Sequence, residues 1–200
     1  MSRLRVFQVI TRWVHGGAQG VVRDLLERLP PDAFEQTLVC GEGPAPGGAV
    51  VVPDLVREIR PASDLAAAAR LSALFTDRAP QVVHAHTYKA GVLASVAARV
   101  ARVPAVVFTP HGHIFARGAA IPGVPGGGPA LAVLRWITRA AQACAHRVTA
   151  LSEADLAGQL ELGLSPPWKY DLCVHCRRTP LWSNVSLYSS HQDPAVAQVF

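Results

Sequence analysis

The sequence predicts an α/β fold: a doubly wound, parallel, Rossmann-like sheet forming one domain. Three observations predict it. Short apolar runs alternate repeatedly with segments of helical spacing, which is the signature of strands joined by crossover helices. The runs are apolar at nearly every position, as strands buried on both faces must be. Two of them also end abruptly in polar, ionisable residues. These are Val82-Val83-His84-Ala85-His86-Thr87-Tyr88-Lys89-Ala90-Gly91 and Val106-Val107-Phe108-Thr109-Pro110-His111-Gly112-His113-Ile114-Phe115. Ligands of open parallel sheets bind at the carboxyl ends of the strands, so these ends mark a candidate site.

The elements follow in order. Residues 4–10 form a continuous apolar strand, and residues 11–17 a loop. Residues 18–29 place Val21, Val22, Leu25, Leu26 and Leu29 on one helical face, and Pro30-Pro31-Asp32 stops that helix. A second strand is expected at 36–40, a Gly/Pro loop at 41–48 and a short third strand at 50–52. Ser63-Asp64 can cap the next helix, whose apolar face includes Leu65, Ala68, Ala69, Leu71, Leu74 and Phe75. A fourth strand is expected at 82–85, an Ala-rich helix at 90–102 and a fifth strand at 105–109. Residues 110–129 are a loop too long and too rich in Gly and Pro for a mere connector. A helix at 130–145, a sixth strand at 147–151 and a helix capped by Ser152 complete the pattern, with Glu153 and Asp155 in the last helix's first turn.

Two hundred residues, half of them apolar, suit one ordinary domain with a full core. The net charge of +5 is carried by scattered arginines, with no basic run interleaved with aromatics. Nucleic acid is therefore not an expected partner, whereas an anionic lipid surface or a phosphorylated ligand suits a mildly basic surface. No window is apolar enough to span a bilayer, and the amino terminus runs straight into a strand rather than a signal sequence. The expected location is the cytoplasm, with peripheral contact at the inner face of the membrane. Cys40 and Cys144 sit in apolar surroundings and read as core thiols. Cys173 and Cys176 form one C-x-x-C around His175; with no second pair and no fourth ligand, no metal is expected.

Four groups of residues can carry chemistry. In His15-Gly16-Gly17-Ala18-Gln19-Gly20, two glycines allow close approach to a ligand, and the helix start supplies free N–H groups and a positive dipole end. That suits a phosphate, although a tight strand-to-helix turn also needs glycine. The dinucleotide fingerprint G-x-G-x-x-G fails because position 15 is His. Glu42 can still mimic the ribose-binding acid of a nicotinamide site, but no Tyr-x-x-x-Lys pair accompanies it, so an oxidoreductase or epimerase ranks last. His84 and His86 point to the same side of their strand; His84 reads as a packed core residue, His86 equally as core or as ligand. Lys89 can hold an anionic group or simply be solvated. His111, directly after Thr109-Pro110 and beside Gly112, is the strongest single candidate. An ordinary imidazole pKa near 6.5 would suit it to general-base work. Ser152 and Glu153 need no role beyond capping.

Together, Gly16-Gly17-Ala18-Gln19, Leu55-Val56-Arg57-Glu58-Ile59-Arg60-Pro61, Val83-His84-Ala85-His86-Thr87 with Lys89-Ala90-Gly91, Thr109-Pro110-His111-Gly112-His113-Ile114-Phe115 and Ala150-Leu151-Ser152-Glu153-Ala154-Asp155 resemble the N-terminal domain of retaining GT-B glycosyltransferases of family 4. The similarity is greatest to the bacterial exopolysaccharide and capsule branch and covers about residues 4–170. The resemblance implies the N-terminal half of a GT-B fold, with the active site in the cleft between two Rossmann-like domains. It implies that this half binds a lipid-linked or saccharide acceptor, through residues including His86, Lys89, Gly112 and His113. It places Gly16, Gly17 and Gln19 on the side of the donor diphosphate and His111 as the catalytic residue near the reacting sugar. The nucleotide sugar is then a substrate rather than a resident cofactor, and no catalytic metal is implied.

The sequence departs from that family in three ways. Ala116-Arg117 stands where aromatics are usual, Leu134-Arg135 stands where an acidic residue is usual, and no second, donor-binding domain follows. After Ala157 no alanine occurs until Ala195, and from about Asp171 no strand or helix period persists. The expected organisation is therefore a glycosyltransferase domain over 1–170 and an aberrant tail over 171–200. That tail reads either as disordered or as the product of translation that left its frame near Lys169-Tyr170; the abruptness favours the latter. Such a chain is expected to be inactive alone. The alternative is a non-catalytic sugar- or phosphate-binding module that pairs with a separate donor domain.

Overall fold

The computed structural model describes residues 3–112, 115 and 128–173. Seven parallel strands form one sheet in the order β3-β2-β1-β4-β5-β6-β7. In chain order the elements are β1 (Leu4–Arg12), α1 (Gly17–Arg28), β2 (Phe34–Glu42), β3 (Val50–Val51), α2 (Pro61–Arg78), β4 (Val82–His86), α3 (Tyr88–Val100), β5 (Ala105–Thr109), α4 (Gly128–Cys144), β6 (Arg147–Ala150), α5 (Glu153–Glu161) and β7 (Tyr170–Leu172). The expected doubly wound sheet is present. The chain moves outward from β1 to β2 and β3, then crosses back to β4, so the direction of winding reverses between β1 and β4.

Two apolar layers hold the helices. On one face, Phe7, Val9, Val83, Ala85, Val106 and Phe108 pack against Leu71 and Phe75 of α2 and the alanines of α3. Alanine is abundant in α3 because that helix lies very close to the sheet. A Cβ added at Gly91 would stand 1.8 Å from the Phe108 ring, so only glycine fits there. On the other face, Val22 of α1 packs with Ile10, Leu38 and Cys40.

Several boundaries differ from the sequence reading. Helix α2 starts at Pro61, with Arg60 rather than Ser63-Asp64 at its N-cap. Proline at the first helical position lacks an N–H that would otherwise be unpaired, and Asp64 Oδ2 reaches back to accept from the Arg60 N–H at 3.2 Å. Strand β4 continues to His86, because its backbone stays in register with β5 through Thr109. Ser152 caps α5 as expected, accepting from the Asp155 N–H at 3.1 Å. Residues 171 and 172, expected to lie in the tail, belong to strand β7, which pairs with β6 at the sheet edge. An edge strand of three residues is too short to show a period. Cys40 is buried, and burial pushes its thiol pKa up. Cys173 is buried and disulfide-bonded; Cys176, His175 and the rest of 174–200 lie outside the described residues, as does His113. No helix among the described residues is long and apolar enough to cross a membrane.

Candidate functional site

Side chains in register on neighbouring parallel strands share a face. Gln8 of β1 is paired with His84 of β4, and Ile10 with His86. His86 is paired in turn with Thr109 of β5, and Gln36 of β2 with Val6. One face of the sheet therefore carries a polar stratum of Gln36, Gln8, His84, His86 and Thr109. It runs between an apolar patch of Val6, Val82, Ala105 and Val107 and the α1 contact of Ile10, Leu38 and Cys40.

Buried polar groups need partners, and these have them. His84 Nε2 lies 2.8 Å from Thr109 Oγ1. The His84 and His86 rings lie 3.9 Å apart between centroids, tilted 37° to one another. His86 Nε2 lies 2.9 Å from Gln8 Oε1, and its Nδ1 lies 2.9 Å from His111 Nε2. Gln8 Nε2 donates to Gln36 Oε1 at 3.1 Å. The structure thus brings His86 and His111 into direct contact, and places His84 as the packed neighbour the sequence reading expects.

Burial decides the charge of this cluster. Removing water destabilises an imidazolium more than an imidazole. Burial, and then the nearby His111, lower the His84 pKa to about 3. Burial, reinforced by His84 and His111, holds His86 well below its ordinary value. Burial lowers His111 to about 4. The ordinary value near 6.5 expected for His111 is thus corrected. At neutral pH it is an uncharged hydrogen-bonding group with little affinity for a proton.

The strand ends around it are held in uncommon geometry. His111 and Thr87 have φ of 59° and 67°, a region costly for a β-branched residue such as Thr87. Thr87 is fixed there by its N–H donating to the Thr109 carbonyl at 2.9 Å. Its Oγ1 also lies 2.9 Å from that of Thr11, at the end of β1. Gly112 follows His111 with φ of 131°, and a Cβ there would meet no atom of the described residues within 4 Å. These residues cluster at the carboxyl ends of β1, β4 and β5, beside the reversal of winding where open α/β sheets take their ligands.

The glycine loop opens on the same edge. Gly16 is the N-cap of α1, with extended backbone, no side-chain cap and no acidic residue in the first turn. The first amides of the helix are left for an outside acceptor. Gln19 turns back, its Nε2 donating to the Arg12 carbonyl at 3.0 Å. A Cβ at Gly16 would come within 2.5 Å of Gln19 Oε1, whereas Gly17 faces open space. Lys89 is placed differently. Its ammonium pairs with Asp64 Oδ1 at 2.5 Å and donates to the Glu58 carbonyl, tying the start of α3 to the start of α2. A cleft of about 550 Å³ lined by Arg139, Leu164 and Lys169 lies elsewhere, near the end of α4. Its Lys169 ammonium is taken up by the carbonyls of Gln142, Ala143 and Ala145. No group of side chains suited to a metal ion occurs among the described residues.

The sequence reading gave no role of their own to Gln8, Gln36, Thr11 and Thr87, and it took Asp64 for a helix cap rather than the partner of Lys89. One signal was available for Gln8: it is the lone polar residue between Val6 and Ile10, and a polar side chain inside an apolar strand needs a partner.

The comparisons with known proteins agree with this architecture. A chain with 34% identity over 121 residues is the UDP-Gal:alpha-D-GlcNAc-diphosphoundecaprenol alpha-1,3-galactosyltransferase of Escherichia coli; the match takes in 57% of this chain and 31% of that one. Among solved structures, a UDP-N-acetylglucosamine 2-epimerase from Rickettsia bellii aligns with a TM-score of 0.56 at 10% identity, covering 96% of this chain and 50% of that one. The UDP-GlcNAc 2-epimerase of Neisseria meningitidis, solved with UDP-GlcNAc bound, aligns with a TM-score of 0.52 at 12% identity, covering 84% and 45%. At such identities the likeness is one of fold alone. The chain spans about a third of the galactosyltransferase and about half of each epimerase. The family model of the glycosyl transferase 4-like domain matches residues 16–172, and the chain belongs to that family.

Proposed function

We propose that this chain is the acceptor-side half of a retaining glycosyltransferase of cell-surface polysaccharide synthesis. The sugar comes from a nucleotide-sugar substrate and goes to a lipid-linked or saccharide acceptor. The observation that carries the reading is the His86–His111 pair, held at the carboxyl edge of the sheet beside an uncapped helix start. The match to a galactosyltransferase whose named acceptor is a diphosphoundecaprenol-linked sugar supports a lipid-linked acceptor.

The roles follow from the chemistry of each group. Departure of the nucleoside diphosphate builds negative charge on its oxygens. The amides around Gly16 and Gly17, at the positive end of α1, are donors for that charge. His111, neutral at pH 7, acts on the reacting sugar as a hydrogen-bonding group, and Gly112 leaves room for the sugar to approach. We assign His113 to acceptor binding; His86, fully buried with both ring nitrogens occupied, acts through His111, and Lys89 acts through the wall it builds with Asp64. In this reading a donor-binding half completes the cleft and supplies donor positioning and most of the nucleotide contacts. Helix α4 fits peripheral contact with an anionic membrane: Leu131, Val133 and Trp136 are exposed, and Arg135 and Arg139 lie among them.

The test is a transfer assay with labelled nucleotide sugar and a polyprenyl-diphosphate-linked N-acetylglucosamine acceptor. The purified chain alone is expected to give no transfer. A chimera joining it to the donor-binding half of the Escherichia coli relative is expected to transfer, and His111→Ala in that chimera to lower the rate by about a hundredfold. Full transfer by the chain alone, or an undiminished His111→Ala chimera, would overturn the proposal.

A further inference from the structure

The polar stratum beneath His111 has a direction, and the direction begins at a backbone that can only accept. Gln36 Nε2 lies 2.9 Å from the Leu25 carbonyl and 3.3 Å from the Leu26 carbonyl, both in the last turn of α1. A carbonyl has no proton to give. The Gln36 amide must therefore present its NH2 group to α1 and its oxygen to Gln8. The Gln8 amide must then give its NH2 to Gln36 and its oxygen to His86. An oxygen facing His86 Nε2 requires a proton on Nε2. A neutral imidazole carries one N–H, so His86 Nδ1 is left with a lone pair, and the 2.9 Å contact to His111 Nε2 requires His111 to donate.

We infer that Gln8 and Gln36 are positioning residues that fix His111 as its Nε2–H tautomer, with Nδ1 as its acceptor nitrogen. The anchor is the last turn of α1, four hydrogen bonds away. Turning either glutamine over would set two donors or two acceptors face to face. Gln8 and His86 are fully buried, so water cannot repair the fault. The burial that keeps His86 neutral keeps the direction intact, because an imidazolium would donate from both nitrogens and reverse the last bond. The chain crosses β2, β1 and β4 and reaches the turn after β5. The core of the sheet thus sets which ring nitrogen of the site residue can accept a proton or a hydrogen bond. The inference rests on the proposed role of His111 for its importance to transfer, but not for its truth.

The test reads the ring nitrogens directly. In the full chain labelled with 15N-histidine, long-range proton–nitrogen correlation spectra at pH 7 distinguish the two tautomers of a neutral ring. His111→Asn assigns the resonance. Wild-type His111 is expected to show the Nε2–H form in at least about tenfold excess. Gln36→Met removes the anchor at the less buried end and frees the Gln8 amide to turn; a mixture of tautomers at His111 is expected. Gln8→Met should show the same loss, and Gln36→Met carries the test if that variant does not fold. An Nδ1–H or cationic His111 in the wild type would overturn the inference. So would a tautomer ratio unchanged in folded Gln36→Met. A correct tautomer together with an undiminished His111→Ala chimera would instead leave this inference standing and remove the catalytic reading.

Discussion

His111 owes its character to what surrounds it rather than to its type. On a mobile loop it would titrate near 6.5 and serve as a base. Pressed against His86 it is held neutral, down to about 4, and its protons are governed by hydrogen bonds. The same burial has a stability consequence. The unfolded chain binds protons on His84, His86 and His111 near pH 6.5, whereas the folded chain binds them only well below that. Between those values the unfolded state holds more protons. Stability is therefore complete above about pH 7 and falls as pH drops through 6.5, by about 1.4 kcal/mol per pH unit for each histidine, levelling only near the folded values. Urea denaturation at pH 7.5, 6 and 5 is expected to show a steadily falling midpoint. His84→Leu is expected to shift its stability less between pH 7.5 and 5. A flat wild-type profile would contradict the buried, neutral cluster. None of this was legible in the sequence, which places two histidines on one side of a strand but does not reveal that Gln8 lies across from them.

At the scale of elements, the legible parts were those with a strong local cause. The buried strands, the Ala-rich α3 and the Ser152 cap each follow from a pattern within ten or so residues. The cap of α2 was misplaced because Asp64 looks like a cap residue. It sits one turn inside and serves two masters, the Arg60 N–H and the Lys89 ammonium. That ion pair joins residues twenty-five positions apart in the sequence, beyond the reach of a periodicity argument. Helix α4 shows the opposite case, an outward face with more apolar surface than solvent alone requires. Trp136 is 70% exposed. If α4 rests on a membrane, Trp136→Ala should lower binding to vesicles containing anionic phospholipid by about tenfold, the loss of one amphipathic anchor. Arg139→Glu should do so most at low salt. Flotation assays read both, and equal flotation of wild type and variants would contradict membrane contact through this helix.

At the scale of the molecule, the reversal of winding between β1 and β4 explains why the site sits where it does. Two crossovers diverge there, leaving an opening at the carboxyl edge, and the uncapped α1, Thr11, Thr87 and His111 all face that region of the chain. The alternating pattern made this architecture readable, because each unit announces itself locally and handedness does the rest. The composition break after residue 157 was equally visible, yet β7 shows that folded structure continues through Leu172. A three-residue edge strand is specified by its neighbour β6 rather than by its own sequence. The central claim is that this edge binds the sugar acceptor, and a titration tests it most directly. The full chain, labelled with 15N, is titrated with polyprenyl-diphosphate-linked N-acetylglucosamine in detergent, and amide and histidine-ring shifts are followed. Saturable changes centred on His86, His111 and Gly112 are predicted, lost in His111→Ala while the rest of the spectrum is kept. No saturation at millimolar acceptor, or changes confined to residues away from these strand ends, would contradict it.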